Sequence, residues 1–291
     1  MSRAQFARMR SLEAATEMLS YLGPGAVVLA GGQELMPSIN YRVLAASVFV
    51  DINGLPELKG IRLEDANLSI GALCVHREIE RNELVRQHAP LLAHALSEVG
   101  GGWQVRNRGT IGGNIVCMHP LYDALPALIA LEASLLIRQQ GESNRVPINY
   151  MVTDTGHGLG STSILVRILV PILSNSVSWG YHKLKTTHGA YSSATAASLV
   201  TIDSTMRVRR VRLVLGAVES VPRDISNELQ SLIGKRYGDE MLRDVESLSA
   251  SAVVDPISDQ RGEAGYRRAM AGVSARRAFA DAVTRACPKF N

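Results

Sequence analysis

The chain is poor in aromatic residues, in cysteine and in long apolar runs, and each shortage excludes something. Aromatics occupy 5% of the 291 positions, too few for a platform that stacks nucleic-acid bases. The three cysteines, Cys74, Cys117 and Cys287, lie far apart, and no C-x-x-C occurs. The chain therefore has no zinc or iron–sulfur ligand spacing of its own, and so small and odd a number suits a reducing cytoplasm. No window holds 18 apolar residues, and the opening MSRAQFARMRSLEAA lacks the apolar core of a secretory signal, so neither membrane nor export is expected. The seven histidines form no H-x-x-x-H pattern, so no metal site is expected. No G-x-G-x-x-G stands between a strand and a helix, which leaves a Rossmann cofactor site unsupported. Charge of one sign is also scarce: 31 basic against 27 acidic residues give +4. The one dense basic stretch, Arg207–Arg212 (RVRRVR), alternates with valine and predicts a half-exposed strand, not a nucleic-acid patch.

What remains is an ordinary globular composition, 46% hydrophobic and 20% charged, in a chain long enough for two or three packed units. Ser11 reads as the N-cap of a helix whose apolar positions run from Leu12 to Leu22, stopped by Gly23-Pro24-Gly25. Ala26–Ala30 and Ser47–Ile52 read as strands, with Asn53-Gly54 as a turn. A second unit begins near Leu58, with a strand at Leu68–Ala72 and helices at Val75–Leu84, Ala89–Val99 and Ala124–Leu131. Strands follow at Ser134–Arg138, Ser143–Ile148 and Ser163–Val170, with Asp154–Gly160 as loop. Composition shifts near Leu173–Ser176. Strands are then expected at Val177–Leu184, Ala194–Asp203 and Val208–Val218, and helices at Glu228–Ile233, Gly238–Val254 and Tyr266–Cys287. Strands and helices mix without regular β-α alternation, so the fold class is α+β. The expected units are 1–57, 58–173 and 174–291.

Chemistry concentrates in Gln104–Asp123, QVRNRGTIGGNIVCMHPLYD, where Gly109, Gly112 and Gly113 fall within five residues. Glycine reaches positive φ cheaply and has no Cβ to hold a ligand away, so successive main-chain N–H groups can converge on one anion. Asn114 and Asp123 add an amide and a carboxylate suited to ribose hydroxyls or an adenine edge. A second cluster, Leu29-Ala30-Gly31-Gly32-Gln33-Glu34-Leu35, follows a strand about eighty residues earlier. Together they ask for an extended, anionic, hydroxyl-bearing ligand, which a dinucleotide satisfies.

The pair LAGGQELMP (Leu29–Pro37) and RNRGTIGGN (Arg106–Asn114), with Asp123, resembles the flavin-binding medium subunit of the molybdenum hydroxylases, the family of xanthine and carbon monoxide dehydrogenases. SLEAATEML, VDINGLPELKGI, LSIGALCVHREIE and PISDQRGEAGYRRAM extend the resemblance over nearly the whole chain. It implies a PCMH/VAO-type FAD-binding fold in two subdomains, followed by a small α+β domain with a three-stranded antiparallel sheet and helices. It also implies that FAD lies between the loops, with main-chain N–H groups from Ala30, Gly31, Gly32, Gln33, Glu34, Thr110, Gly112 and Gly113 on its pyrophosphate. Leu29, Leu35 and Ile111 complete the two loops, and Asn114 and Asp123 approach the nucleotide half.

Several of these positions keep a second reading. Thr110 donates to a phosphate oxygen or merely suits a turn. Asp123 binds the nucleotide, caps the helix that follows, or does both. Glu34 replaces the family's small hydroxyl residue, and a carboxylate 4 Å from a phosphate would repel it by roughly 1–4 kcal/mol. Its side chain is thus expected to turn to solvent or to a ribose hydroxyl. Lys183, in Tyr181-His182-Lys183-Leu184, matches a lysine that reaches the flavin, where it would stabilise the anionic reduced ring. The alternative is a solvated strand lysine. The next stretch, Thr186–Tyr191, departs from the family's Arg-Arg-x-x-Asp run. Arg106 and Arg108 neutralise phosphate or brace the loop. His119 reads as structural, and Asp255–Arg268 as turn and packing.

No acid–base pair, nucleophile or metal cluster appears, so no catalytic residue is assigned. The resemblance implies an electron-transfer subunit with two partners. One is a large chain carrying a molybdenum–pterin centre, and the other a small chain carrying two [2Fe-2S] clusters. Together they would form a dimer of heterotrimers that passes electrons through flavin to an outside acceptor. The rival readings are a free-standing FAD-dependent oxidoreductase with its own substrate, and a scaffold that has lost its flavin.

Overall fold

The computed structural model describes residues 4–152, 159–187 and 189–287. It begins with a small parallel sheet ordered β1-β3-β2, formed by β1 (Gln5–Arg8), β2 (Ala26–Leu29) and β3 (Val48–Asp51). Helix α1 (Leu12–Leu22) and helix α2 (Leu35–Asn40) connect these strands, so the first fifty residues do alternate β-α-β-α-β, unlike the rest of the chain. Ser11 caps α1 by accepting the Ala14 N–H at 3.1 Å. Leu12, Ala15 and Leu19 then turn one buried stripe toward β3, as their three- and four-residue spacing requires. Strand β1 was not expected. Its residues are mostly exposed, and it exists because Gln5–Arg8 pairs in parallel with Val48–Asp51, a partner forty residues away.

The second unit is a five-stranded antiparallel sheet ordered β4-β5-β8-β6-β7. Its strands are β4 (Ile61–Glu64), β5 (Asn67–Gly71), β6 (Ser134–Gln139), β7 (Glu142–Pro147) and β8 (Ser163–Pro171). Strand β5 is buried on both faces. Ser69 is tolerated there because Arg167 of β8, 4% exposed, donates to its hydroxyl at 2.6 Å and to carbonyls of Glu57, Lys59 and Gly60. The two expected helices are three: α3 (His76–Arg81), α4 (Glu83–His88) and α5 (Pro90–Ser97). Asn82 breaks the first by going extended and capping α4, and Pro90 forces Ala89 out of helical geometry. The central glycine stretch is also largely helical, as α6 (Gly102–Arg108) and α7 (Ile111–Cys117), followed by α8 (Ala124–Ala130).

The last unit carries the expected three strands, β9 (Ser178–Leu184), β10 (Ala194–Ile202) and β11 (Val208–Gly216), plus a two-residue β12 (Arg223–Asp224). Both faces of this sheet are covered. Ala197, Leu199 and Val214 join the core under α5 and α8, while Ala196, Val200 and Leu213 join a second core under α9 (Asp239–Ala252) and α10 (Ala264–Ala286). Strand β11 is therefore only partly the half-exposed strand expected. A bulge opposite Thr201–Ile202 leaves Arg209 and Arg210 both outward, paired with Asp203 at 2.5 Å and Glu132 at 2.6 Å. The segment Asp255–Arg268 is turn and packing around one residue. Arg267 is fully buried, pairs with Asp259 at 2.5 Å, and donates to the carbonyls of Ser193 (2.9 Å) and Ala217. Among the described residues no helix is long and apolar enough to cross a membrane.

Candidate functional site: a cleft between two glycine loops

The two glycine clusters meet across one cleft of about 460 Å³, within the range of small-molecule and cofactor sites. One wall is the loop from β2 into α2. Asn53, which follows β3, holds its root by donating to the Ala30 carbonyl at 3.0 Å and the Leu29 carbonyl at 3.3 Å. Asn53 is itself held by Asp51, which is 3% exposed and bound by Arg8. Desolvation pushes the Asp51 carboxyl up, but the Asn53 hydrogen bonds and Arg8 outweigh it and keep it below the usual range. Gly32 takes φ +71°, which turns the chain so that successive amides face outward. The N–H groups of Gly31, Gly32, Gln33, Glu34 and Leu35 donate to no partner among the described residues. Five consecutive free amides form a ready anion cradle.

The opposite wall is built differently. Gly112 and Gly113 lie in the first turn of α7 with ordinary helical φ, not in a left-handed turn. Their N–H groups are already committed, Gly112 to the Ala72 carbonyl at 2.9 Å and Gly113 to the Thr110 hydroxyl at 3.2 Å. Glycine is required at 112 for space, since a Cβ there would sit 2.8 Å from both Cβ and O of Ala72. Thr110 is thus the cap of α7, the turn reading of that residue. Ile111 is fully buried and donates its N–H to Cys74 at 3.0 Å.

Ala30, Gly31, Gly32, Gln33, Glu34, Leu35, Thr110, Gly112, Gly113 and Asn114 all line the cleft; Leu29, Ile111, Asp123 and Lys183 do not. Asp123 makes no side-chain cap on α8. It is 2% exposed and accepts from Lys183 Nζ at 2.7 Å and from the Tyr181 hydroxyl at 2.8 Å. Lys183 also donates to the Glu98 carbonyl at 2.9 Å, so it is neither a solvated lysine nor exposed in the cleft. Burial pushes the Asp123 carboxyl up against the pull of Lys183. Arg106 braces the loop by donating to the Ser97 carbonyl at 2.8 Å and facing Glu80 at 3.6 Å. Arg108 is exposed. Of the expected loop Asp154–Gly160, residues 154–158 lie outside the described residues, whereas Leu159 and Gly160 line the cleft. His188, within Thr186–Tyr191, also lies outside them.

Sequence reasoning missed the aromatic end of the cleft. Tyr122 and Tyr191 line it and stack with each other and with His119, which does not line it, with centroids 4.8–6.1 Å apart and planes 25–26° apart. Tyr122 donates to Glu34 at 2.8 Å, which turns that carboxylate aside. Burial and the Glu34 hydrogen bond push the Tyr122 hydroxyl well up, so it stays a donor. Arg261 lies over Tyr191 at 5.4 Å. Such a wall suits a planar ring. The only advance signal was Tyr122 and Tyr191 in stretches otherwise read as loop.

These features agree with comparisons to known proteins. Residues 2–173 match the model of the FAD binding domain in molybdopterin dehydrogenase, and residues 179–282 that of the CO dehydrogenase flavoprotein C-terminal domain. The chain is 33% identical to the carbon monoxide dehydrogenase medium chain of Hydrogenophaga pseudoflava, over 95% of this chain and 96% of that one. It is 29% identical to the caffeine dehydrogenase subunit beta of a Pseudomonas species, over 96% and 95%. A solved chain of Hydrogenophaga pseudoflava carbon monoxide dehydrogenase superposes with a TM-score of 0.92 at 32% identity, covering 97% of this chain and 98% of that one. The chain therefore belongs to the family of FAD-binding medium subunits of the molybdenum hydroxylases, and is an oxidoreductase subunit.

Proposed function

We propose that this chain holds FAD in the cleft and relays electrons from the iron–sulfur clusters of a partner subunit to an external acceptor. The run of free amides from Gly31 to Leu35 is the observation that carries the reading, because it offers five donors to a pyrophosphate without any side chain. When bound, FAD supplies the redox chemistry, and the protein positions and tunes it. Gly31–Leu35 cradle the phosphates, while Thr110 and Gly112 shape the opposite wall. Asn114 offers a buried Oδ1 with no partner among the described residues. The Tyr122–Tyr191 wall backs the planar ring. Asp123 and Lys183 do not line the cleft; they pair with each other and tie Tyr181 and the Glu98 carbonyl together.

The partners in this reading are a large subunit with a molybdenum–pterin centre and a small one with two [2Fe-2S] clusters, assembled as a dimer of heterotrimers in the cytoplasm. The units divide near residues 57 and 173. The substrate belongs to the large partner: relatives named for carbon monoxide and for caffeine share this chain's length and fold. Among the described residues no group of His, Cys, Asp or Glu could hold a metal.

The test is the visible spectrum and subunit composition of the protein purified from its host. Flavin bands over a broad iron–sulfur envelope, with two companion chains, are expected. A colourless complex, or a flavin-loaded chain that turns over alone, would overturn the reading.

A further inference from the structure

Glu34 places a carboxylate in the very loop whose main chain forms an anion cradle. Its own N–H is the fourth of the five free amides, so the side-chain charge is tethered to the donors a pyrophosphate would use. A negative charge so near repels a phosphate. The Glu34 side chain is also exposed, and left to itself it can fold back onto the free amides at high effective concentration. Either way the loop would disable its own cradle.

One contact opposes this. Tyr122 lines the same cleft from beyond α7, 88 positions later in sequence, and its hydroxyl donates to Glu34 Oε2 at 2.8 Å. A hydrogen bond to an ionised acceptor is of the stronger kind. Among the described residues Glu34 has no ion pair and no other side-chain hydrogen bond, so this hydroxyl fixes where the charge rests. The groups around Tyr122 register that charge. Burial raises the Tyr122 and Tyr191 hydroxyls and the Cys117 thiol, and Glu34 adds to each rise. Burial lowers His119, while Glu34 pulls it the other way. The carboxylate thus acts at the aromatic end of the cleft, and the Tyr122 hydroxyl keeps the proton it donates.

Resting on the reading of the cleft as the FAD site, we propose that Tyr122 is a positioning residue for the pyrophosphate. Its hydroxyl draws the Glu34 carboxylate off the Gly31–Leu35 amides and leaves the cradle open to an anion. The ring of Tyr122 serves the wall, and its hydroxyl serves the opposite loop. Glu34 and Tyr122 are therefore a matched pair, and a change at one is tolerated only with a change at the other.

The experiment measures dissociation constants on the deflavinated full-length chain, for FAD by flavin-fluorescence quenching and for ADP by displacement of FAD. ADP carries the pyrophosphate without the flavin ring. Thermal melting of each apo variant establishes that it folds. Tyr122→Phe keeps the ring, loses the hydroxyl, and should weaken both ligands roughly tenfold, the scale of one hydrogen bond to a charged group. Glu34→Gln should bind FAD at least as tightly as wild type. Tyr122→Phe placed in that background should cost less than about threefold, because no charge remains to be restrained. Wild-type affinity in a folded Tyr122→Phe, or the same tenfold loss in the Glu34→Gln background, overturns the assignment alone. So does a loss seen with FAD and not with ADP, which would place the effect on the ring. Weaker FAD binding in Glu34→Gln by itself also overturns it, since the carboxylate would then be a ligand of the cofactor. A wild-type chain that binds no flavin overturns the cleft reading and the assignment with it.

Discussion

Gly31 lies against the Arg108 carbonyl so closely that a Cβ at position 31 would overlap that oxygen and sit 3.1 Å from the Thr110 nitrogen. The two glycine loops, nearly eighty residues apart in sequence, are in direct backbone contact. The cleft's width is set by an absent methyl group.

Gly31→Ala should therefore push the loops apart, costing about 1–3 kcal/mol in apo stability as overpacking does. It should cost more in flavin retention, because both walls move. Gly32→Ala strains φ +71° without a backbone clash and should cost about 1 kcal/mol. Urea denaturation together with flavin content after gel filtration separates the two effects. Equal retention in both variants would contradict the contact.

Lys183→Met should destabilise the protein by about 3–5 kcal/mol, since it strands the Asp123 carboxylate in a site 2% exposed. Adding Asp123→Leu should recover part of the loss. The pH dependence has a definite sign. Burial already raises Asp123, and without Lys183 it rises further above its unfolded value. The deficit should therefore grow as pH rises above the unfolded carboxylate range and shrink toward it. Urea midpoints from pH 4 to 8 would check this.

His76 should make the fold acid-sensitive in a defined window. Its folded pKa of about 4 lies below the unfolded 6.5, so the unfolded chain binds the extra proton between those values. Wild type should lose up to about 3 kcal/mol as pH falls from 6.5 to 4, and His76→Leu should lose less by that amount. Parallel denaturation series of the two proteins would show it.

Cys117 is exposed and lines the cleft, whereas Cys74 is buried with its thiol pushed up to about 11. A bulky maleimide should label Cys117 and spare Cys74. Bound FAD should protect Cys117 but not Cys287. Burial and the Glu34 charge raise the Cys117 thiol, so labelling should quicken as pH rises. Peptide mass spectrometry with and without FAD reads the outcome.

Local pattern made much of this legible. The apolar run feeding Gly31, the capped helix after Ser11, and strands β8 to β11 follow from residues within one turn or one pleat. What stayed hidden depends on distant partners. Strand β1 exists through pairing with β3. Tyr122 and Tyr191 meet from positions with no shared periodicity. Lys183 carried a plausible charge, but Asp123, sixty residues away, claims it. Glycine stands out in both loops, yet at Gly112 its service is space and at Gly32 it is φ, a difference the letters do not carry.

Arg267 and Arg261 have a consequence for biogenesis. A chain that emerges from the ribosome N-terminus first completes both glycine loops early. The wall residue Tyr191 is different. Arg261 lies over it, and Arg267 donates to the Ser193 carbonyl close by, both from about seventy residues later in the chain. The wall is therefore complete only once that later stretch has been made. A product truncated before Arg261 would lack the residue that lies over Tyr191 and would be left with an incomplete cleft wall.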